Sequence, residues 1–462
     1  MMSLHRLLLG ALALLPFLTS SCSESRAADA PNVLILSIDT LRADALGCYG
    51  SQGGHTPNID RLAERGVLFQ RALAPMATTF PSHSSMFTGL YPRVHGVRWN
   101  GHTLDEDRTT LAEVLDDAGF ETGAFVSYKA MVARGGLHQG FDSVSDEKLV
   151  ADSPRIRDGG EVNRLAFEYL DGLGERGGTF LWLHYFEPHS PYPLTDYASE
   201  RLVGYEGPLA DGASIDEIHV MNDKKRRTPA DVAAFQTLYD GRVREADRLV
   251  GELIEGLEER GRLDDTILVL VGDHGQLLGE HGHVGHGAIL WQEVLEVPFM
   301  IVDPRSKATG EVQTRVGVVD LMPTVLDLLS LEAPAGMQGR SLARALYGEA
   351  LEDELYFAEV RIADPKQARP RGQNEAVAVF HEHHKFVLQG DEEVLYDLNA
   401  DPGEGQALEL TLESELVNRL RPLARFHKEL SPEARGQGAE LTEAMKAELE
   451  ALGYLGGEEA SE

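Results

Sequence analysis

Cysteine is nearly missing from this chain: Cys22 and Cys48 are the only two in 462 residues. With Cys22 inside a leader, Cys48 alone is left in the mature chain. No internal disulfide can then form, and the fold must rest on burying a core drawn from the 42% hydrophobic residues. Basic charge is scarce too. Lysine and arginine total 42 against 75 aspartates and glutamates, a net charge of -33, which repels nucleic acid and excludes it as a partner class. An anionic substrate must be captured locally, by a metal or a few cations. Long apolar runs are also lacking. The one candidate, at 7–18, is too short to span a bilayer stably, and it lies between His5-Arg6 and the small, polar "TSSCSESRAADA". This is the pattern of an export leader over residues 1–30. Cys22 follows Thr19-Ser20-Ser21 in a variant lipoprotein box, and Ala28-Asp29-Ala30 offers a soluble-secretion cleavage site instead. The expectation is export to the periplasm or cell surface, anchored by a lipid on Cys22, with soluble secretion as the alternative.

Beyond the leader, short apolar runs alternate with amphipathic helical stretches, which predicts an α/β fold with a mostly parallel sheet flanked by helices. The runs are "NVLILSI" (32–38), "TGAFVS" (122–127), "TFLWLH" (179–184), "TILVLVG" (266–272) and "VPFMIV" (297–302). Helix ends are legible between them. Thr56 reads as an N-cap with Pro57 at the first helical position and Gly66 as the stop, and a long amphipathic helix runs from Pro229 to Gly261. From about residue 346 the pattern changes to four closely spaced strands, "ELYFAEV", "EAVAVFHE", "HKFVLQG" and "EVLYDL", followed by an acidic helical tail. The expected organisation is a catalytic domain at 31–345 and a smaller antiparallel subdomain with its tail at 346–462.

Chemistry concentrates where strands end. In open α/β sheets ligands gather at the carboxyl ends of strands, and two of these strands finish on acids: Asp39, then Asp273 with His274 beside it. Singly, each fits an ordinary turn or polar loop; together they supply three metal ligands. A third stretch, "ATTFPSHSSMFTGLYPRVHGV" at 77–97, sets hydroxyls at the mouth of a short helix expected to begin around Ser82. A helix N-terminus favours an anion there, although the same letters also spell a plain helix start.

With that stretch added, the chain resembles the sulfatase branch of the alkaline phosphatase superfamily. The blocks "PNVLILSIDTLRADALGCYG", "TPNIDRLAERGVLFQRALA", "PSHSSMFTGLYPRVHGV", "GDHGQLLGEHG", "EVPFMIV", "VVDLMPTVLDLL", "MQGRSL" and "LYDLNADPGE" fall in the family's order over nearly the whole mature chain. The resemblance implies an alkaline-phosphatase-like sheet, a divalent metal on Asp39, Asp273 and His274, and a nucleophile two residues before Pro81, which is Thr79, completing the metal site. Here the chain departs from the family. Typical members carry Cys or Ser at that position, converted to formylglycine, and Arg four places on; this chain has Thr79 and His83. Threonine cannot become formylglycine, so none is expected. A formylglycine hydrate expels sulfate by collapsing to the aldehyde, whereas a phosphorylated threonine is opened by water or a second acceptor, so Thr79 tilts the chemistry toward phosphorus.

The same stretch also resembles the nucleotide pyrophosphatase/phosphodiesterases of the superfamily, and lipoteichoic-acid and phosphoethanolamine transferases use threonine nucleophiles. By the phosphodiesterase spacing Asn100 is an oxyanion contact; alternatively Asn100-Gly101 is a turn. Thr78, one residue out of register, is assigned to turn packing. His83 either touches the ester or lies in the helix's first turn. His184 closes its strand at the same edge, and Glu187 and His189 occupy the loop where relatives place substrate or second-metal ligands. His286 takes the place of a family lysine as contact or acid for the leaving oxygen, His281 and His283 read as loop structure, and Lys129 matches a family lysine only in outline. An imidazole with few carboxylates favours manganese or zinc, with calcium left open. The expected function is an exported metal-dependent hydrolase of sulfate or phosphate esters, phosphate slightly favoured. The alternatives are a sulfuric ester hydrolase without formylglycine, a phospho-group transferase and a non-catalytic binding protein. The expected substrates are small anionic esters or sulfated or phosphorylated glycans or lipids, with the alcohol half chosen by segment 194–227.

Overall fold

The computed structural model describes residues 30–52, 55–100, 102–145, 156–173, 178–223, 227–306, 308–361, 375–411 and 414–430. Both the leader and the acidic tail beyond 430 lie outside the described residues.

Strand β1 (Asn32–Ile38) is buried along its whole length. Its alternate side chains serve two cores: Val33 and Ile35 face one, Leu34, Leu36 and Ile38 the other. A strand covered on both faces reads as a continuous apolar run, which is why "NVLILSI" shows no polar alternation. The remaining strands of this sheet are β2 (Val67–Leu73), β3 (Glu121–Val126), β4 (Ser143–Val144), β5 (Thr179–Tyr185), β6 (Thr266–Gly272), β7 (Glu296–Val302) and β8 (Gly310–Val312). Their order is β8-β2-β7-β6-β1-β5-β3-β4, and Val316–Gly317 adds to β2 to make nine strands. Pairing is parallel except around β7, which runs antiparallel to both β2 and β6. The five runs read from the sequence are therefore β1, β3, β5, β6 and β7. Strand β2 escaped that reading because Gln70 and Arg71 interrupt its apolar run. It follows directly on Gly66, whose missing side chain is required: a Cβ there would lie 2.3 Å from the carbonyl oxygen of Ile301.

Helices α1 (Pro57–Ala63), α2 (Thr79–Thr88), α3 (Gly159–Leu173) and α4 (Pro229–Glu259) flank this sheet. Thr228 and Asp231 form a capping box on α4, and Gly261 closes its end with φ +63°. Thr56 occupies the N-cap position of α1 without capping it: its hydroxyl accepts from Gly47 N at 2.9 Å and donates to Asp60 at 3.0 Å. The helix α2 starts three residues earlier than its letters suggest. Its first free N–H groups are served from elsewhere in the chain, since Phe80 N donates to the Asn100 side chain at 2.9 Å.

The last four strands, β9 (Tyr356–Arg361), β10 (Glu375–His381), β11 (His384–Gln389) and β12 (Glu392–Asp397), form an antiparallel meander, as their spacing predicts. Helix α5 (Glu415–Glu429) packs its apolar stripe on it through Val417, Leu420 and Leu423. A buried ion pair ties this sheet to the first. Lys385 Nζ donates to Glu404 and to the Leu290 carbonyl, while Glu404 also accepts from Gln292 N at 2.8 Å. Leu290 and Gln292 continue the segment that begins at Asp273, so this pair anchors the segment behind the strand ends. Lys385→Met would leave Glu404 charged and buried beside an apolar chain. We expect it to destabilise the protein by about 3 kcal/mol or more, read as a fall in Tm; an unchanged Tm would show that the pair holds nothing.

Candidate active site

Strands β1 and β6 run side by side in register, Ile38 opposite Gly272. The next residue on each, Asp39 and Asp273, must therefore leave the same sheet edge together. Strand β5 lies on the other side of β1 with His184 opposite Ser37, bringing a histidine to that edge. All three side chains are fully buried, as is His274.

The donors converge. Single ligand atoms of Asp39, Asp273 and His274 lie within 4.8 Å of one another. His274 Nε2 is 3.8 Å from Asp39 Oδ1 and 3.5 Å from Asp273 Oδ2, and His184 Nε2 is 3.7 Å from Asp39 Oδ2. The outward-facing atoms of Asp273 and His274 are satisfied by the protein. Asp273 Oδ1 accepts from Thr40 N at 3.1 Å and His274 N at 2.7 Å, and His274 Nδ1 donates to the Gly275 carbonyl at 3.0 Å. The inward ones are not: both oxygens of Asp39, Asp273 Oδ2 and His274 Nε2 have no hydrogen-bond partner. Buried polar atoms without partners are costly, and two adjacent carboxylates are costlier still. A divalent cation is the group that such a set fits, with the His274 tautomer already fixed for it by the Gly275 carbonyl.

Burial, and then the charge of Glu187, push Asp39 well above the usual carboxylate range; burial and then Asp39 do the same to Asp273. Burial first holds His274, His184 and His83 down to about 3, so these rings are neutral near neutral pH. The chain bends sharply as it leaves β1, with Thr40 at φ 55°, held there by its N–H to Asp273 and by Tyr239, whose hydroxyl donates to Thr40 O at 2.8 Å.

Thr79 opens α2, only 2% exposed, and the turn around it is pinned at three points. Ser82 Oγ donates to the Asp273 carbonyl at 2.6 Å, His83 Nδ1 to the Thr79 carbonyl at 2.8 Å, and His286 Nδ1 to the Ala77 carbonyl at 3.3 Å. Thr78 stands in extended backbone at the N-cap, where its hydroxyl caps nothing and is buried without a hydrogen-bond partner. Asn100 lies in a turn closed by His102 N on the Trp99 carbonyl at 3.0 Å, and from there its side chain accepts from Phe80 N beside Thr79.

Of the two roles open to His83, the structure supports the one within the helix. Its Nδ1 serves Thr79, and its Nε2 accepts from Ser37 Oγ at 2.9 Å, which in turn accepts from Trp182 Nε1 at 2.9 Å. Neither ring nitrogen is left for an ester, and the ring is fully buried. Ser37 and Trp182 were missed by sequence reasoning; the one signal was a serine inside an otherwise apolar strand.

Glu187 and His189, grouped in the sequence as metal candidates, separate. Glu187 turns toward Arg242 Nη2, 3.5 Å away, whereas His189 turns toward His286 with its Nε2 3.1 Å from the other Nε2. His189 Nδ1 donates to the Ser190 carbonyl at 2.7 Å, and the His286 ring lies 4.5 Å from that of His274. His281 stacks on Trp291 at 3.9 Å and faces Glu293, in keeping with loop structure, and Lys129 is buried just beyond β3.

Two carboxylates held above their ordinary range bind protons more readily in the folded chain than in the unfolded one. Metal-free protein therefore loses stability as pH rises from about 4, the ordinary carboxylate value, through the raised native values, and the loss is complete above them. Asp39→Asn removes one charge of the pair. Stripped of metal, this variant should melt higher than stripped wild type at about pH 8, with the gap closing toward about pH 4. An equal or lower Tm at the higher pH, by scanning calorimetry, contradicts the paired-carboxylate site.

Comparison with known proteins agrees with this geometry. The sulfatase family model matches residues 31–331, and that of the N-sulphoglucosamine sulphohydrolase C-terminal region matches 279–425. An N-acetylglucosamine-6-O-sulfatase of Bacteroides thetaiotaomicron is 24% identical over 88% of each chain. A multifunctional alkaline phosphatase superfamily protein of Trinickia caryophylli is 25% identical over 81% of this chain and 90% of its own. The crystal structure of a phosphonate monoester hydrolase from Agrobacterium radiobacter superposes with a TM-score of 0.67 at 24% identity, covering 86% of this chain and 94% of that one. Match, sheet and strand-end acids coincide: the chain belongs to the sulfatase family of the alkaline phosphatase superfamily and is an ester hydrolase.

Proposed function

We propose that the protein is an exported, metal-dependent hydrolase that cleaves phosphate or sulfate esters through Thr79, with phosphate preferred. The observation that carries this reading is the set of unpartnered donors of Asp39, Asp273 and His274 beside a threonine whose turn is bonded to Asp273 and His286. A divalent ion held by those three residues and Thr79 supplies the positive charge that lowers a hydroxyl's proton affinity and balances an anionic ester.

The rest is done by the chain. The Thr79 hydroxyl, deprotonated, attacks phosphorus; an oxygen–phosphorus bond forms as the bond to the alcohol oxygen breaks. His83, through the Thr79 carbonyl, fixes the direction of attack, and Asn100 holds the first turn of α2 at the oxyanion side. The departing oxygen takes a proton from His286. Since both His286 Nδ1 and His189 Nδ1 donate to carbonyls, their Nε2 atoms face each other at 3.1 Å, and one shared proton turns that repulsion into a hydrogen bond. Burial lowers both rings to about 3, so near neutral pH the resting pair lacks this proton; it takes the one that Thr79 releases and hands it to the departing oxygen. Water then opens phospho-Thr79, releasing phosphate and restoring the hydroxyl. A sulfo-threonine lacks the formylglycine route of escape, which is the reason for ranking phosphate first. The names of the relatives, an N-acetylglucosamine-6-O-sulfatase and a phosphonate monoester hydrolase, keep sulfated glycans and phosphorus esters as the two substrate classes to compare.

Assayed on matched aryl phosphate, phosphodiester and sulfate, the enzyme should turn over phosphorus esters faster. Thr79→Ala should lose at least about a thousandfold, while Thr79→Ser keeps measurable rate. Full activity of Thr79→Ala would make the threonine a ligand or cap only. Strong sulfatase activity of Thr79→Cys, made in a host that installs formylglycine, would overturn the preference for phosphorus.

Export rests on the leader, and anchoring on Cys22. Cys22→Ser should move the protein from the membrane fraction to the soluble one in cell fractionation; membrane association unchanged by that substitution would rule out the lipid anchor.

A further inference from the structure

The two-residue turn that joins β10 to β11 lies within the sequence "HEHH", His381 to His384. A hairpin loop this short ordinarily takes glycine or asparagine where φ is positive; here Glu382 stands at φ 50°. Glu382 is exposed, and His383 and His384 are half-buried. Their polar ends gather all the same: one carboxylate oxygen of Glu382 and one ring nitrogen from each histidine lie within 4.8 Å of one another. The two rings are 4.0 Å apart, tilted by 38°. His381 stands outside the group, since its Nε2 accepts from Arg419 Nη1 at 2.7 Å.

A fourth donor comes from the next strand. His384 pairs with Asp397 across β11 and β12, and Asp397 Oδ2 lies 3.9 Å from His383 Nε2. The other oxygen is committed to the chain: Oδ1 accepts from Asn399 N at 2.9 Å and from Ala400 N at 3.1 Å, which fixes the carboxylate and leaves Oδ2 toward the histidine. Contacts of this kind behind a ligand are what orient it in a metal site. Two imidazoles and two carboxylates make a donor set for tetrahedral zinc, whereas calcium and magnesium take shells of oxygen. Zinc at about 2.1 Å from each donor needs them about 3.4 Å apart, a contraction that partly exposed side chains make by turning. The net charge of -33 raises the concentration of any cation at the surface. None of these four residues lies on the strands that end at Asp39 and Asp273.

We infer that Glu382, His383, His384 and Asp397 bind a divalent transition-metal ion, zinc by their donor set, at a site separate from that of Asp39, Asp273 and His274. The ion ties the β10–β11 turn to the end of β12. Arg71 Nη2, on β2, donates to the Glu382 carbonyl at 3.4 Å, so the same turn also touches the large sheet. The bound ion therefore stiffens a contact between the two sheets and takes no part in the reaction, and the inference stands apart from the hydrolase reading.

The test is a calorimetric titration of zinc into the full-length, chelator-stripped protein, with the double variant His383→Ala/His384→Ala beside it. Wild type should take up one equivalent more than the variant, and this extra ion should bind with a Kd of about 10 μM or tighter. Asp39→Asn, which alters only the strand-end site, should leave that Kd unchanged. Glu382→Gln, a change on the exposed turn, should weaken the extra site at least about tenfold while the Tm of the metal-free protein stays the same, and it decides the matter should the double variant fail to fold. Equal stoichiometry in wild type and double variant, or unaltered affinity in Glu382→Gln, overturns the inference. So does an extra equivalent bound more weakly than about 10 μM, which is an adventitious ion only, or one that Asp39→Asn removes.

Discussion

Two carboxylates, Asp39 and Asp273, are buried together at one sheet edge with three of their four oxygens unpartnered, and the surrounding structure is organised by that fact. Left alone, two such charges repel and are starved of solvation, an arrangement no fold keeps without a counter-charge. The strained turn at Thr40, the Thr40 N–H to Asp273 and the bond of Ser82 to the Asp273 carbonyl all hold the pair in place. Because β1 and β6 pair in parallel register along their whole length, the two acids cannot separate without breaking the centre of the sheet.

The turn at Thr79 inherits its geometry from the same pair. Helix α2 is bound to the Asp273 strand end through Ser82, and its first turn is closed from below by His83. An arginine at position 83 would bring a fixed charge beneath Thr79. The histidine found there is neutral, because burial lowers it to about 3, and it is consumed by Ser37 and Thr79. Positive charge for the site would then come from a cation held by Asp39, Asp273 and His274. This places the electrostatic work on few groups and makes their spacing strict.

The small antiparallel sheet contributes by buttressing. Lys385 and Glu404, both buried, close on the Leu290 carbonyl and Gln292 N, and so pin the chain that runs on from Asp273 through His286. A second buried knot lies on the opposite side: Arg93 and Arg98 share Glu359, and Glu359 N also donates to the Pro75 carbonyl, four residues before Thr79. Both approaches to the active site are thus fastened to one four-stranded sheet, and ion pairs of this kind act through position more than through net stability.

How much of this is legible in the sequence follows from which relations are local. Strands buried on both faces must be apolar throughout, so β1, β3, β5, β6 and β7 announce themselves, and an acid directly after such a strand must emerge at its carboxyl end; Asp39, Asp273 and His274 follow from those two rules alone. Strand β2 did not show itself, since two polar residues near a sheet margin break its run. The start of α2 was misplaced because its cap comes from Asn100, about twenty residues on, and a cap supplied by another segment leaves no mark at the helix itself. Tertiary structure alone decided that His83 turns inward to Ser37 and Trp182, that His189 leaves Glu187 for His286, and that Glu187 meets Arg242. Those choices depend on the direction of side chains from segments tens to hundreds of residues apart, and only the packed sheet, which sets strand order and register, brings such segments face to face.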